Sequence, residues 1–152
     1  MDELTSITLN LMKRAPVAYL ATVDGDGLPQ VRAVENLRCP EKFPHPSEVI
    51  SKVEEDQMIS YLSINTSSSK LRQVEVNPVV ALYYCVPEEY KGVMMRGKAE
   101  VLDDLEFKKT IWVKGWERYY PKGYDDPDFT VLKVKPDWVK AWYKGGLHEM
   151  RK

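Results

Sequence analysis

Val17-Ala18-Tyr19-Leu20-Ala21-Thr22-Val23, Asp24-Gly25-Asp26-Gly27 and Gln30-Val31-Arg32-Ala33-Val34-Glu35 follow one another near the start of the chain. Two strand-length runs, apolar at most positions, flank a tight Asp- and Gly-rich turn, which is the pattern of a β-hairpin. Strands joined this way pair antiparallel. Upstream, Leu4, Ile7 and Leu11, with Met12 beside them, recur at helical spacing and stop before Pro16, predicting a short amphipathic helix.

Downstream, the periodicity keeps switching. Residues 38–48 carry Pro40, Pro44 and Pro46 and read as an exposed loop, with a short helix over 49–55 after it. Residues 58–64 read as a strand and 70–76 as a short helix stopped by Asn77-Pro78. Residues 79–85 are apolar at nearly every position, the pattern of a strand covered on both faces. A strand over 92–102 contains Gly97, where a bulge or a close backbone approach is expected. Asp103 with Glu106 is expected to cap a helix that turns Leu105, Ile111 and Trp112 inward. Residues 119–128 read as loop, and 129–135 as the last clear strand, ended by Pro136.

Hairpins and short helices without regular strand-helix alternation predict a mainly β fold, a small antiparallel barrel with peripheral helices. At 152 residues, 43% hydrophobic and 30% charged, the chain is expected to form a single domain over residues 1–152. Lys and Arg total 22 against 23 Asp and Glu, a formal charge of -1, so no basic excess points to nucleic acid or an anionic membrane. Any anion site must be local. Cys39 and Cys85 stand in no Cys-x-x-Cys or metal-like spacing, and His45 and His148 are too scattered for a metal cluster. The chain as given opens without a signal-peptide pattern and has no membrane-length apolar run, so a soluble cytoplasmic protein is expected.

Asn65-Thr66-Ser67-Ser68-Ser69-Lys70-Leu71-Arg72-Gln73 places four hydroxyl side chains before two cations, between two predicted strands. A phosphate monoester needs such a set: hydroxyl and backbone N–H donors for its oxygens and a cation for its charge. A helix opening at Lys70 would add its free first-turn N–H groups. Ser and Thr also gather in turns and at helix N-caps, where they satisfy their own backbone. No Glu or Gln stands three residues after any of the four hydroxyls, so a capping box does not account for the run. Trp112, Trp116, Tyr119 and Tyr120 read either as a stacking platform for a planar ligand or single strand, or as packing that fixes a helix and closes a loop.

Four segments occur here in the order seen in the pyridoxamine phosphate oxidase-like flavoproteins. They are Pro29-Gln30-Val31-Arg32-Ala33-Val34, the 66–73 run before Asn77-Pro78, Val93-Met94-Met95-Arg96-Gly97-Lys98-Ala99-Glu100, and residues 136–142. The chain resembles that family from about Ala15 to Trp142, and within it the short general-stress-protein branch, whose Pro-Gly and Asp-Asp-Pro signature is similar to Tyr120-Pro121-Lys122-Gly123-Tyr124-Asp125-Asp126-Pro127-Asp128. The resemblance implies a six-stranded antiparallel split β-barrel, dimerisation, and FMN held in two equivalent clefts between subunits.

It also implies a cofactor site. Lys70 and Ser68 match the family's phosphate-binding Lys and Ser, and Ser69 stands where the oxidases commonly have an Arg. Asn65 and Thr66 would line the phosphate and ribityl portion. Arg32 matches the family Arg, with Ala33 and Val34 offering backbone groups to the flavin ring; its spacing alone fits an exposed strand cation equally. Trp142 matches an aromatic expected to approach the flavin held mainly by the other subunit, and ordinary packing is its other reading. Gly92 replaces a Gln that contacts the flavin in the oxidases.

Departures bear on activity. Leu37 stands where the vitamin-forming oxidases place a Lys for substrate phosphate, and their C-terminal Arg-x-His is missing, although Gly145-Gly146 and His148 echo that region. Pyridoxamine phosphate oxidation is therefore not expected, and no acid-base pair stands out. The expected function is that of an FMN-dependent oxidoreductase working with a small-molecule electron donor or acceptor. The alternatives are a non-catalytic flavin-binding stress or redox protein, and a split barrel that binds deazaflavin or heme instead.

Overall fold

Asp24 closes the first hairpin. Its Oδ1 accepts the N–H groups of Asp26 (2.9 Å) and Leu28 (3.0 Å), and Gly27 takes a left-handed φ of +78°. In this computed structural model, which describes residues 1–152, β1 (Val17–Val23) then pairs β2 (Pro29–Asn36) along its whole length, from Val17↔Glu35 to Val23↔Pro29. The other strands are β3 (Ser60–Asn65), β4 (Val79–Val86), β5 (Lys91–Leu102), β6 (Phe129–Tyr143) and β7 (Gly146–Arg151). All pairings are antiparallel, in the order β3-β2-β1-β4-β5-β6, and β6 returns to β3 to close a six-stranded barrel as expected.

Side-chain alternation divides the molecule into two cores. Leu20, Leu62, Leu82, Met95, Leu132 and Val139 fill the barrel. The helix α1 (Glu3–Arg14) adds Leu11 and Met12, and α3 (Ser69–Val76) adds Leu71 and Val74. The outward side chains Tyr61, Phe129 and Val131 build a second core with Ile50 of α2 (Pro44–Val53) and Ile111 of α4 (Leu105–Ile111). Buried Asn36 ties α1 to β2: its Nδ2 donates to the carbonyls of Met12 (2.7 Å) and Ala15 (2.8 Å), and its Oδ1 accepts from Arg38 N (3.0 Å).

Several expectations change. Pro44 and Pro46 do not keep their segment irregular: they occupy the first turn of α2, where the N–H groups have no intrahelical partner. Asp104, not Asp103, caps α4 through Oδ1, and Leu105 stays exposed. On β4 only Val80, Leu82 and Tyr84 are buried, while Val79 and Tyr83 face outward, open in the single chain. β6 does not end at Pro136. The register shifts between Arg96 and Gly97, so Pro136, which has no N–H to donate, falls where the ladder is already broken, and the strand runs on to Tyr143. The end of the chain forms β7, through a two-residue turn of Lys144 (φ +51°) and Gly145 (φ +65°), the backbone signs of a type I′ hairpin. No helix is long and apolar enough to cross a membrane.

At Gly97 an added Cβ would lie 2.1 Å from the Lys135 carbonyl oxygen and 2.8 Å from its carbon, and backbone cannot yield as a side-chain tip does. Gly97→Ala is expected to lower unfolding free energy by about 2–3 kcal/mol, read as a shifted urea midpoint with unchanged slope.

Candidate functional site

The barrel opens between β2 and β3. β2 is paired to β1 throughout but to β3 only at Glu35↔Ser63 and Asn36↔Leu62, so its β3-side edge over Arg32, Ala33 and Val34 has no ladder partner. Val34 points into the barrel core and Ala33 points out. Arg32 shares the inward face with Leu20 and Thr22 at this open end. Its Nη1 donates to Thr22 Oγ1 (2.7 Å) and the Leu20 carbonyl (3.3 Å), and its Nη2 donates to Gln73 Oε1 (3.3 Å). Buried Thr22 in turn donates to Gln73 Oε1 (2.6 Å).

These partners aim the guanidinium without neutralising it. Arg32 makes no ion pair, and burial holds it below its ordinary value. Lys70, in the first turn of α3, makes neither ion pair nor hydrogen bond. Burial lowers its pKa first, then the positive charge of Arg32, while Asp128 pulls the other way. Two half-buried cations, one of them depressed by the other's charge, are relieved by an anion between them.

The hydroxyl run divides. Ser68 is the N-cap residue of α3, but its hydroxyl donates back to the Asn65 carbonyl (2.6 Å) and makes no cap bond, leaving the first-turn N–H groups uncapped by it. Thr66 Oγ1 is bonded to Thr130 Oγ1. Asn65 Nδ2 donates to Asp128 Oδ2 (2.7 Å), and Ser67 N to Asp128 Oδ1 (2.8 Å). Asn65, Thr66 and Ser68 therefore hold the loop's shape, whereas the Ser69 hydroxyl has no partner in the chain and stands beside Lys70. Asp126 holds the adjoining turn by accepting the N–H groups of Lys122 (3.0 Å) and Asp128 (2.9 Å). The acidic signature loop is thus the clamp on the hydroxyl loop.

Beyond Asn65 a cavity of about 710 Å³ opens on the outer face of the barrel, with Glu35 and Ser63 at its base. Its volume lies within the range of small-molecule sites. Trp142 is not brought to this cluster in the single chain. It points outward from the far end of β6, opposite Gly92 and Leu147, and lines a separate depression of about 470 Å³ with Tyr83 and Cys85. The Tyr83 hydroxyl fills the space over Gly92, where a Cβ would lie 2.0 Å from it, so a phenol occupies the place of the side chain Gly92 lacks. Neither histidine reaches the cations: His45 Nε2 lies 2.7 Å from the Thr110 carbonyl, and His148 stacks on Tyr143. No group of three or more His, Cys, Asp or Glu could hold a metal.

Thr22, Gln73 and Asp128 are the members that sequence reading passed over. Thr22 had a signal, as a polar residue in step with Ala18 and Leu20 on the inward face of β1. Gln73 lies at the end of the hydroxyl run and Asp128 at the end of the acidic loop, but nothing in their spacing names their partners.

The family model described as pyridoxamine 5'-phosphate oxidase matches residues 8–143. General stress protein 26 of Bacillus subtilis (strain 168) is 28% identical over 93 residues, 59% of this chain and 66% of that protein, just under two thirds of its length. A structure of a protein related to general stress protein 26 from Clostridium acetobutylicum superposes with a TM-score of 0.79 at 24% identity, covering 99% of this chain and 96% of that one. A pyridoxamine 5'-phosphate oxidase-related, FMN binding protein from Nostoc punctiforme PCC 73102 gives 0.61 at 17% identity, covering 95% and 86%. A heme binding protein from Mycobacterium smegmatis (TM-score 0.70, 15% identity, 99% of this chain and 59% of that one) and an F420 reductase (0.57, 24%, 86% and 93%) share the fold. At these identities the structural likenesses speak to the fold alone.

The Asn65 amide first, then the Ser67 N–H, hold the Asp128 carboxyl below its ordinary 3.8. A depressed folded pKa means that the clamp contributes fully above 3.8 and is lost as pH falls through the lower folded value. The Ser67 amide resonance is expected to keep its shift down to pH 4 and move only below it, with Asp128→Ala abolishing the transition. Titration of that amide at the ordinary carboxyl value would remove the clamp.

Proposed function

The chain belongs to the pyridoxamine 5'-phosphate oxidase family, and from that premise we propose that it is an FMN-binding flavoprotein acting as a small flavin-dependent oxidoreductase. The observation that carries this reading is the pair Arg32 and Lys70, two half-buried cations at the open end of the barrel, neither of which makes an ion pair. A phosphate monoester carries the charge and the acceptors that this pair, the Ser69 hydroxyl and the first turn of α3 can use. Thr22 and Gln73 orient Arg32; Asn65, Thr66 and Ser68, clamped through Asp128 and Thr130, shape the loop beneath the phosphate and ribityl chain. The unpaired edge of β2 at Ala33 and Val34 offers backbone groups to the ring. The bound flavin would supply the hydride or electron chemistry, and the chain supplies binding and electrostatics.

Leu37 is fully buried in the second core, so no cation stands where the vitamin-forming oxidases place one, and the same proposal excludes pyridoxamine phosphate as substrate. A homodimer with cofactor at the interface belongs to it too. Tyr19, Val31, Val79, Tyr83, Trp142 and Leu147 are all outward-facing and 41–69% exposed. Such a surface is typical of an association face, which would bring Trp142 toward the partner's cofactor. A cytoplasmic location is the corresponding reading of the two free cysteines, Cys39 and Cys85.

Heme is disfavoured because neither histidine faces the cationic cluster. Titration of the purified protein with FMN, F420 and heme, followed by visible spectra and light scattering, tests the reading. One FMN per chain in a dimer is expected, and Lys70→Met is expected to weaken FMN by roughly 10- to 100-fold and reduce its salt dependence. FMN affinity unchanged in Lys70→Met would remove the proposed phosphate site, and a monomer with FMN bound would remove the intersubunit cleft.

A further inference from the structure

One hollow on the outward face of the sheet lies apart from the Arg32–Lys70 site. It sits where β4, β5 and β6 run side by side, with Cys85 opposite Gly92 and Gly92 opposite Trp142. The middle residue has no side chain, so the hollow has a backbone floor, and Tyr83 and Trp142, 42% and 47% exposed, stand as its aromatic walls.

Gly92 decides where the Tyr83 phenol rests. A Cβ at residue 92 would lie 2.0 Å from the phenol oxygen and 2.5 Å from Cζ, so only glycine admits the phenol at this place. A ring laid over a cross-strand glycine covers its backbone, but phenylalanine would serve that purpose equally. The hydroxyl is the part left over. Tyr61 and Tyr84 both use theirs inside the chain, donating to the Glu54 carboxylate and to Ser60 Oγ (2.7 Å), whereas the Tyr83 hydroxyl has no partner in the chain. Burial first, then the neighbouring Cys85, raises the Tyr83 pKa above its ordinary value, so the phenol keeps its proton to donate.

In the single chain, solvent reaches this hydroxyl. An association that covers the face removes that solvent, and a phenol so covered needs an acceptor from whatever covers it. The hollow specifies the rest of the occupant: a flat ring to lie against Trp142, with acceptor atoms at its rim. The isoalloxazine ring of a flavin has both.

We propose that Tyr83 is a further cofactor-contacting residue and acts across the dimer, its hydroxyl donating to a rim acceptor of the flavin ring whose phosphate the other subunit holds. This role rests on the flavin and homodimer reading, and adds to it the side chain with which the second subunit recognises the ring. Two consequences separate Tyr83 from the phosphate residues. Its contact is blind to the phosphate, and in any one cofactor site Tyr83 and Lys70 come from different chains.

Riboflavin and FMN share the ring and differ in the phosphate, so titrating both into the intact dimer tests the first consequence. Tyr83→Phe, which removes one oxygen and keeps the ring over Gly92, is expected to weaken both by the same roughly 3- to 10-fold, the scale of one hydrogen bond. Lys70→Met is expected to weaken FMN alone. A mixed dimer of one Lys70→Met chain and one Tyr83→Phe chain, isolated through two different affinity tags, tests the second. Contact across the dimer leaves one of its two sites with both native residues, so one FMN is expected to bind with wild-type affinity. Unchanged riboflavin affinity in Tyr83→Phe, or a mixed dimer without a wild-type site, would overturn the role of Tyr83, while FMN binding by the wild-type dimer would keep the flavin reading. Wild-type protein that takes up neither FMN nor riboflavin would remove both.

Discussion

The pairing of β3 with β6 is the constraint on which the rest of the molecule depends. Six consecutive partners, from Ser60↔Val134 to Asn65↔Phe129, close the sheet on itself and cover the edge of β3 that an open antiparallel sheet would expose. The same register decides which side chains enter which core. Leu62, Ile64, Leu132 and Val134 point into the barrel, while Tyr61, Phe129 and Val131 point out and require the cover that α2 and α4 provide. A slip of one residue would exchange those two sets.

Closure also builds the site. Because Asn65 ends opposite Phe129, the turn before Phe129 falls beside the hydroxyl loop, and the carboxylate of Asp128 can reach Asn65 and Ser67. A loop of small polar residues has little apolar surface with which to hold itself, so an acidic clamp takes that part. β2, in contrast, leaves β3 after two pairs, and the opening exposes a strand edge and two cations to one space. Two half-buried cations that make no ion pair are a local cost in the folded chain, the kind of conflict between local and global preference that marks a functional place.

Much of this was legible in the residues. The first hairpin followed from Asp24-Gly25-Asp26-Gly27 between two apolar runs, and the break at Gly97 from a glycine inside a strand. Expectations built on proline were less secure, because proline's effect depends on whether its missing N–H had a partner to lose. At Pro44 and Pro46 it had none, and at Pro136 the bulge had already interrupted the ladder. β7 was passed over because its outward residues are mostly polar, and only its pairing with β6 makes it a strand. Ser68, Ser69 and Lys70 were visible as a candidate anion site, but which hydroxyls hold the loop and which is free could not be read from their order.

By itself the sequence determined the antiparallel β character of the chain, its first hairpin turn, and the presence of phosphate-compatible chemistry in one short run, because these depend on neighbours within a few residues. The tertiary structure alone decided that Arg32 comes near enough to Lys70 for its charge to be felt there, that Thr22 and Gln73 aim Arg32, and that Asp128 clamps the loop. Gln73 lies 41 residues from Arg32, and Asp128 63 from Asn65, and each pair touches only across the fold. Their meeting is set by strand register and barrel closure, which are long-range properties of packing that local spacing does not encode.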